Sequence, residues 1–121
     1  MRRILIVDDS IFSQKVIASM LKKHIDDAEY FFASDGEEGL SKYKELNPDY
    51  VLLDLLMPKM DGKTLICLLK EQDPNAKIIV ISADVQKSVR EEIDQYQVLS
   101  FLNKPFTEEK AKLICAMIEE K

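Results

Sequence analysis

Ile4-Leu5-Ile6-Val7-Asp8-Asp9 decides how the rest of the chain is read. Four aliphatic residues in a row put apolar side chains on both faces of a strand, and only a sheet covered on both sides can bury them. The run then stops at two carboxylates. Three later runs repeat the pattern: Tyr50-Val51-Leu52-Leu53 ends in Asp54, Ile78-Ile79-Val80-Ile81 ends in Ser82, and Val98-Leu99-Ser100-Phe101-Leu102 passes through Asn103 into Lys104-Pro105. Ligands of open α/β sheets bind outside the carboxyl ends of parallel strands. If these runs are parallel, three carboxylates, a hydroxyl and an ammonium converge on one rim. That set suits a divalent cation and a phosphoryl group.

Working outward, apolar runs alternate five times with segments of helical period, the pattern of a βα repeat and a parallel sheet. Strands are expected at 3–8, 30–34, 50–54, 77–82 and 98–102, and helices at 11–24, 37–46, 63–72, 86–96 and 108–120. In the first helix Phe12, Val16 and Met20, with Ile17 and Leu21, form the expected buried stripe. In the last helix the stripe is Leu113, Ile114, Met117 and Ile118. Ser10 and Thr107 are candidate caps. Asp35-Gly36, Asn47-Pro48, Asp61-Gly62 and Asp73-Pro74 mark turns. The fourth helix carries only the thin stripe Val85, Val89 and Ile93. Two readings fit it equally: a shallowly buried edge helix, or a surface that docks a partner.

The 121 residues fit one domain, 1–121, with enough chain to bury a core without staples. A net charge of −5 argues against direct binding of nucleic acid or an anionic membrane. The apolar runs are too short to span a bilayer, and the one after Arg2-Arg3 is too short for a signal peptide. Cys67 and Cys115 lack metal-binding or redox spacing. Both read as small core residues of a reducing, cytoplasmic setting.

Mg²⁺ takes hard oxygen ligands and keeps several waters. Successive strand residues point to opposite faces, so Asp8 and Asp9 cannot serve one metal identically, and one of them acts through water. Asp54 ends what reads as a central strand. A carboxylate is ionised near neutral pH and needs no base to attack phosphorus, and phosphoryl transfer is mostly positioning and charge neutralisation. Three carboxylates against a divalent cation and the Lys104 ammonium sum to zero. Ser82 offers a hydroxyl to a phosphoryl oxygen. His24, the one histidine, lies at the far end of the first helix from this rim. A histidine taking part in the chemistry would therefore come from another protein.

Four motifs carry a family resemblance: Ile6-Val7-Asp8-Asp9-Ser10, Asp54-Leu55-Leu56-Met57-Pro58-Lys59-Met60-Asp61-Gly62, Ser82-Ala83 and Lys104-Pro105-Phe106. In this order they resemble the receiver domain of two-component response regulators, especially the single-domain chemotaxis (CheY-like) type, over essentially the whole chain. The resemblance implies the family's known fold, a flavodoxin-like (βα)5 doubly wound sheet of order 2-1-3-4-5. It implies Asp54 as phosphoacceptor from a phosphohistidine on a sensor histidine kinase or phosphotransfer protein. Asp9 would be a direct Mg²⁺ ligand, Asp8 one through water, and the Leu56 backbone carbonyl a further ligand. Ser82 and Lys104 would bind phosphoryl oxygens. Phe101 matches the aromatic switch position coupled to Ser82. Phosphorylation would shift the face built from helix four, strand five and helix five toward a form that binds a downstream protein, a role the helix-four stripe fits.

Phe101 stands where classical chemotaxis members have tyrosine, and Leu56 and Asp84 lie where the family sets phosphoryl lifetime. Tyr96-Gln97-Val98 lacks the Gly-Ala common before strand five. The expected protein is a monomeric switch rather than a metabolic enzyme, limited to slow self-phosphorylation and autodephosphorylation. A flagellar motor switch is the target that the chemotaxis resemblance suggests. A phosphorelay carrier, or a receiver cut from a longer regulator, needs the same rim. A non-phosphorylated pseudo-receiver is the reading of another class, and the intact acid set argues against it. An aspartyl phosphatase would want an acid at position 56. A flavin module would want a phosphate-binding loop where Asp8-Asp9 stand.

Overall fold

A computed structural model describes residues 2–83 and 86–119. Strands β1 (Arg2–Val7), β2 (Ala28–Ala33), β3 (Tyr50–Leu53), β4 (Ile78–Ser82) and β5 (Ser100–Asn103) alternate with helices α1 (Ile11–Lys22), α2 (Gly36–Leu46), α3 (Gly62–Gln72), α4 (Lys87–Asp94) and α5 (Glu108–Glu119). The strands form one sheet in the order β2-β1-β3-β4-β5, every pairing parallel. The expected fold class is therefore observed.

Strand alternation sorts the core into two layers. Ile4, Ile6, Leu52, Ile79 and Ile81 pack with Ile17, Leu21, Ile114 and Ile118 of α1 and α5. Leu5, Val7, Val51, Leu53, Ile78 and Val80 pack with Leu65, Ile66, Leu69 and Ile93 of α3 and α4. Both faces are covered, which is why β1 from Ile4 onward, β3 and β4 run apolar until they reach the rim.

Helix starts follow the expected side chains. The Ser10 hydroxyl accepts from the Ser13 amide at 3.1 Å, and the Thr107 hydroxyl accepts from Lys110 at 3.3 Å. At α2 Asp35 accepts from the Glu38 amide, and Glu38 in turn accepts from the Ser34 amide just before the cap. Before β5, where the sequence has no Gly-Ala, Gln97 itself takes the left-handed conformation at φ 58. A non-glycine residue there costs about 1–2 kcal/mol.

Two stripes differ from expectation, and on a third one of its two readings holds. In α1 the buried residues are Gln14, Ile17, Ala18 and Leu21. Phe12 is 78% exposed, and Val16 and Met20 are only partly buried. The helix is rotated so that 14, 17, 18 and 21 face the sheet, and the 12–16–20 line flanks them. In α5 the buried residues are Ala111, Ile114, Cys115 and Ile118, with Leu113 exposed. In α4 Ile93 is fully buried and Val89 packs on the same core layer, while Lys87, Arg90, Glu91, Glu92 and Asp94 are exposed. The helix-four stripe is thus an inward anchor, and the outward face is charged. Val85 and Asp84 lie outside the described residues.

The cysteines differ from each other. Cys115 is buried, and burial, with the charges of Glu119 and Glu108 adding to it, pushes its thiol up to about 11. Cys67 is only partly buried, against expectation, with its sulfur 3.9 Å from Glu71. Because the thiolate is the reactive form, a thiol reagent at neutral pH is expected to modify Cys67 in the folded protein and Cys115 only after denaturation. Mass spectrometry of labelled peptides reads this directly, and equal labelling of both in the native state would contradict the packing of α5.

Candidate functional site

Register places the acids. Val7 pairs with Leu53 across β1 and β3, and the Asp54 amide donates to the Val7 carbonyl at 3.0 Å. One step further along, Asp8 and Asp54 are neighbours at the strand ends. They share strand parity, so their side chains leave the sheet on the same side. Both are buried, at 2% and 6% exposure, whereas Asp9 is exposed. Ligand oxygens of Asp8, Asp9 and Asp54 lie within 4.8 Å of one another. Two adjacent acids therefore do occupy different settings, as the alternation argument requires.

Lys104 arrives from β5. Its backbone amide donates to the Ser82 carbonyl at 2.9 Å, and its ammonium donates to Asp8 Oδ2 at 2.9 Å and Asp54 Oδ2 at 3.1 Å. Burial alone lowers its pKa, but the hydrogen bonds and charges of Asp8 and Asp54 outweigh this and leave it above the ordinary lysine value. The remaining oxygens are also engaged: Asp8 Oδ1 accepts from the Ser10 amide at 2.9 Å, and Asp54 Oδ1 accepts from the Leu56 amide at 3.2 Å. Ser82 is fully buried at the end of β4, paired in register with Asn103. The Lys104-Pro105 peptide bond is cis.

Further residues shape the rim. A Cβ on Gly62 would lie 2.5 Å from both the Asp54 carbonyl oxygen and the Leu55 Cα. Only glycine lets the start of α3 press against the strand end that carries Asp54. Phe101 is partly buried, and the Arg90 guanidinium sits 4.9 Å above its ring. Leu56 is 54% exposed. His24 stands outside the acid cluster, 3.5 Å from Glu108.

Two residues that the sequence reading passed over touch this site. Lys110 of α5 donates to the carbonyls of Asn103 and, at 2.9 Å, Pro105, which bracket Lys104. Gln14 is buried beside Asp8. Residues 14, 17, 18 and 21 share one helix face, but the polarity of Gln14 reads as solvent-facing.

Can this site take a metal? Three hard oxygen donors stand together on a rim, two of them held by backbone amides, and a single ammonium supplies their positive charge. Carboxylate oxygens of this number suit Mg²⁺, which keeps waters in its remaining positions. The donor set fits.

Known proteins resemble this chain over most of its length. The response regulator receiver domain family matches residues 4–116. The chain is 43% identical over 108 residues to a chemotaxis protein CheY of Thermotoga maritima, covering 87% of each chain. It is also 40% identical over 87 residues to a protein-glutamate methylesterase/protein-glutamine glutaminase of Geobacter sulfurreducens, where the match covers 72% of this chain and only 24% of that longer protein. Among solved structures, the CheX-CheY-BeF3-Mg+2 complex from Borrelia burgdorferi superposes with a TM-score of 0.88 at 34% identity, covering 99% of this chain and 90% of that one. Among the described residues, no helix is long and apolar enough to cross a membrane.

Proposed function

Since the chain belongs to the response regulator receiver domain family, we propose that it is a phosphorylation-dependent switch in which Asp54 accepts a phosphoryl group. The observation that carries this reading is the single ammonium shared by two buried carboxylates, with Asp9 completing the acid cluster. Clustered acids repel one another unless cations offset them.

In the transfer, an Asp54 oxygen forms a bond to phosphorus as the phosphorus–nitrogen bond to a histidine of a sensor kinase or phosphotransfer protein breaks. The electron pair leaves with the imidazole, which takes a proton from solvent. Bound Mg²⁺ would supply charge neutralisation for the phosphoryl oxygens, held directly by Asp9, Asp54 and the Leu56 carbonyl and through water by Asp8. Lys104, already 3.1 Å from Asp54, turns to a phosphoryl oxygen, and the Ser82 hydroxyl donates to another. Phe101 then follows Ser82, and the α4–β5–α5 face changes form to bind its target. Exposed Ile11, Phe12 and Leu56 surround the rim and form the apolar seat for the donor protein.

The relative named as a chemotaxis protein matches over 87% of this chain, which supports a chemotaxis role; a flagellar motor switch is the target proposed for it. The Borrelia complex supports a protein partner and a divalent cation. Reaction with acetyl phosphate tests the chemistry without any partner. Intact-mass spectrometry is expected to show one added phosphoryl group with Mg²⁺ and none after chelation by EDTA. Uptake unaffected by EDTA would overturn the metal assignment.

A further inference from the structure

Among the described residues four polar side chains are buried: Asp8, Asp54, Ser82 and Gln14. Three belong to the rim as read from sequence. The fourth is 6% exposed, on the sheet-facing side of α1. Its side-chain amide donates to the Asp8 carbonyl at 2.7 Å and to the Ala33 carbonyl at 3.1 Å. Two carbonyl oxygens can be met only by a donor, so the amide nitrogen is the atom that faces them. The Asp8 amide donates to the same Ala33 carbonyl at 3.0 Å. With Ser10 and Lys104 on its carboxylate, every polar group of Asp8 is then engaged.

We propose that Gln14 is a positioning residue of the acid site: by holding the Asp8 carbonyl it fixes the plane of the Asp8–Asp9 peptide, and so the direction in which Asp9 leaves the chain. Asp9 is exposed. An exposed carboxylate that must sit within ligand reach of Asp54 depends on its backbone for direction, and the buried amide of Gln14 supplies the fixed point. A purely structural role for Gln14, satisfying two buried carbonyls, would lower stability without changing the site in molecules that remain folded.

The inference rests on the reading of the acids as a divalent-cation site, and the test separates the two. Mg²⁺ alone is titrated calorimetrically into the unaltered protein and into Gln14→Met, Gln14→Arg and Ile17→Val, well below their unfolding temperatures. Gln14→Met keeps the length and loses both hydrogen bonds, and affinity is expected to fall about tenfold. Gln14→Arg retains donors and is expected to recover most of it. Ile17→Val loosens the same buried face without touching Asp8 and is expected to stay within about twofold. If Gln14→Met binds as the unaltered protein does, or Ile17→Val loses as much as Gln14→Met, the positioning role is wrong. Should Gln14→Met not fold, Gln14→Ala, which also loses both hydrogen bonds, takes its place: affinity equal to that of the unaltered protein, or a loss no larger than in Ile17→Val, overturns the inference. If the unaltered protein itself takes up no Mg²⁺, the cation-site reading falls and the inference falls with it.

Discussion

Asp54→Asn is expected to take up no phosphoryl group from acetyl phosphate, while the unaltered protein takes up one. The two side chains are nearly the same shape, so the fold at the rim should survive. The Asn oxygen can still accept from the Leu56 amide, which now meets Asp54 Oδ1 at 3.2 Å, and Lys104 keeps Asp8 as its partner at 2.9 Å. What is lost is the anionic nucleophile, because an amide oxygen does not attack phosphorus at neutral pH. Effects of this kind are all or none and show as a missing mass increment. Circular dichroism unchanged from the parent would show that the loss is chemical. Uptake continuing at the parental level would mean that another acid is the acceptor.

Lys104→Ala should have the next largest effect, and it should appear in two measurements. Among the described residues the ammonium is the one group that meets both buried carboxylates, so its removal leaves Asp8 and Asp54 side by side without it. Removing one partner of a buried pair costs about 3 kcal/mol, and a metal-free thermal melt of the variant should fall accordingly. Added Mg²⁺ should recover part of the loss, since a ligand of the folded state alone stabilises it. The pH dependence has a fixed sign. The folded pKa of Lys104 lies above its unfolded value, so its stabilisation is fully present below the ordinary lysine pKa and is lost as pH rises through the raised one. The gap between variant and parent should therefore be constant at neutral pH and close only at strongly alkaline pH. In the second measurement, hydrogen exchange in α4 and β5 should respond to phosphorylation in the parent and not in the variant. A variant that responds normally would remove Lys104 from the switching path.

The rim was more legible in the sequence than the surface. Asp8, Asp54, Ser82 and Lys104 each end or follow an apolar run, and such runs have one structural solution once both faces of the sheet must be buried. Register did the rest, because Val7 opposite Leu53 leaves Asp8 beside Asp54. Helix faces were harder. The expected stripe of α1 joins Ile17 and Leu21 to Phe12, Val16 and Met20, which hydropathy favours over Gln14 and Ala18. The structure buries Ile17 and Leu21 but completes the face with Gln14 and Ala18, because Gln14 gains two backbone acceptors there while Phe12 stays at the exposed mouth of the rim. Periodicity fixes that a helix is amphipathic, but a rotation of one residue depends on contacts from distant strands. The same ambiguity moved Leu113 outward on α5, and of the two readings of the sparse α4 stripe the buried one holds at Val89 and Ile93. Local rules set the caps at Ser10 and Thr107, and the structure has both; Asp35, expected as a turn residue, caps α2 as well. Lys110, which bonds the carbonyls around Lys104, had no local signal: its partners lie in the preceding loop, and a lysine in the first turn of a helix reads as solvated.

Locating the phosphoryl group tests the account most directly. Protein treated with acetyl phosphate and Mg²⁺ can be reduced with borohydride, which converts an aspartyl phosphate to homoserine, and then digested and sequenced by mass spectrometry. The expected result is homoserine at position 54 and nowhere else. Homoserine at 8 or 9, or a protein that leaves the reaction unmodified, would contradict it.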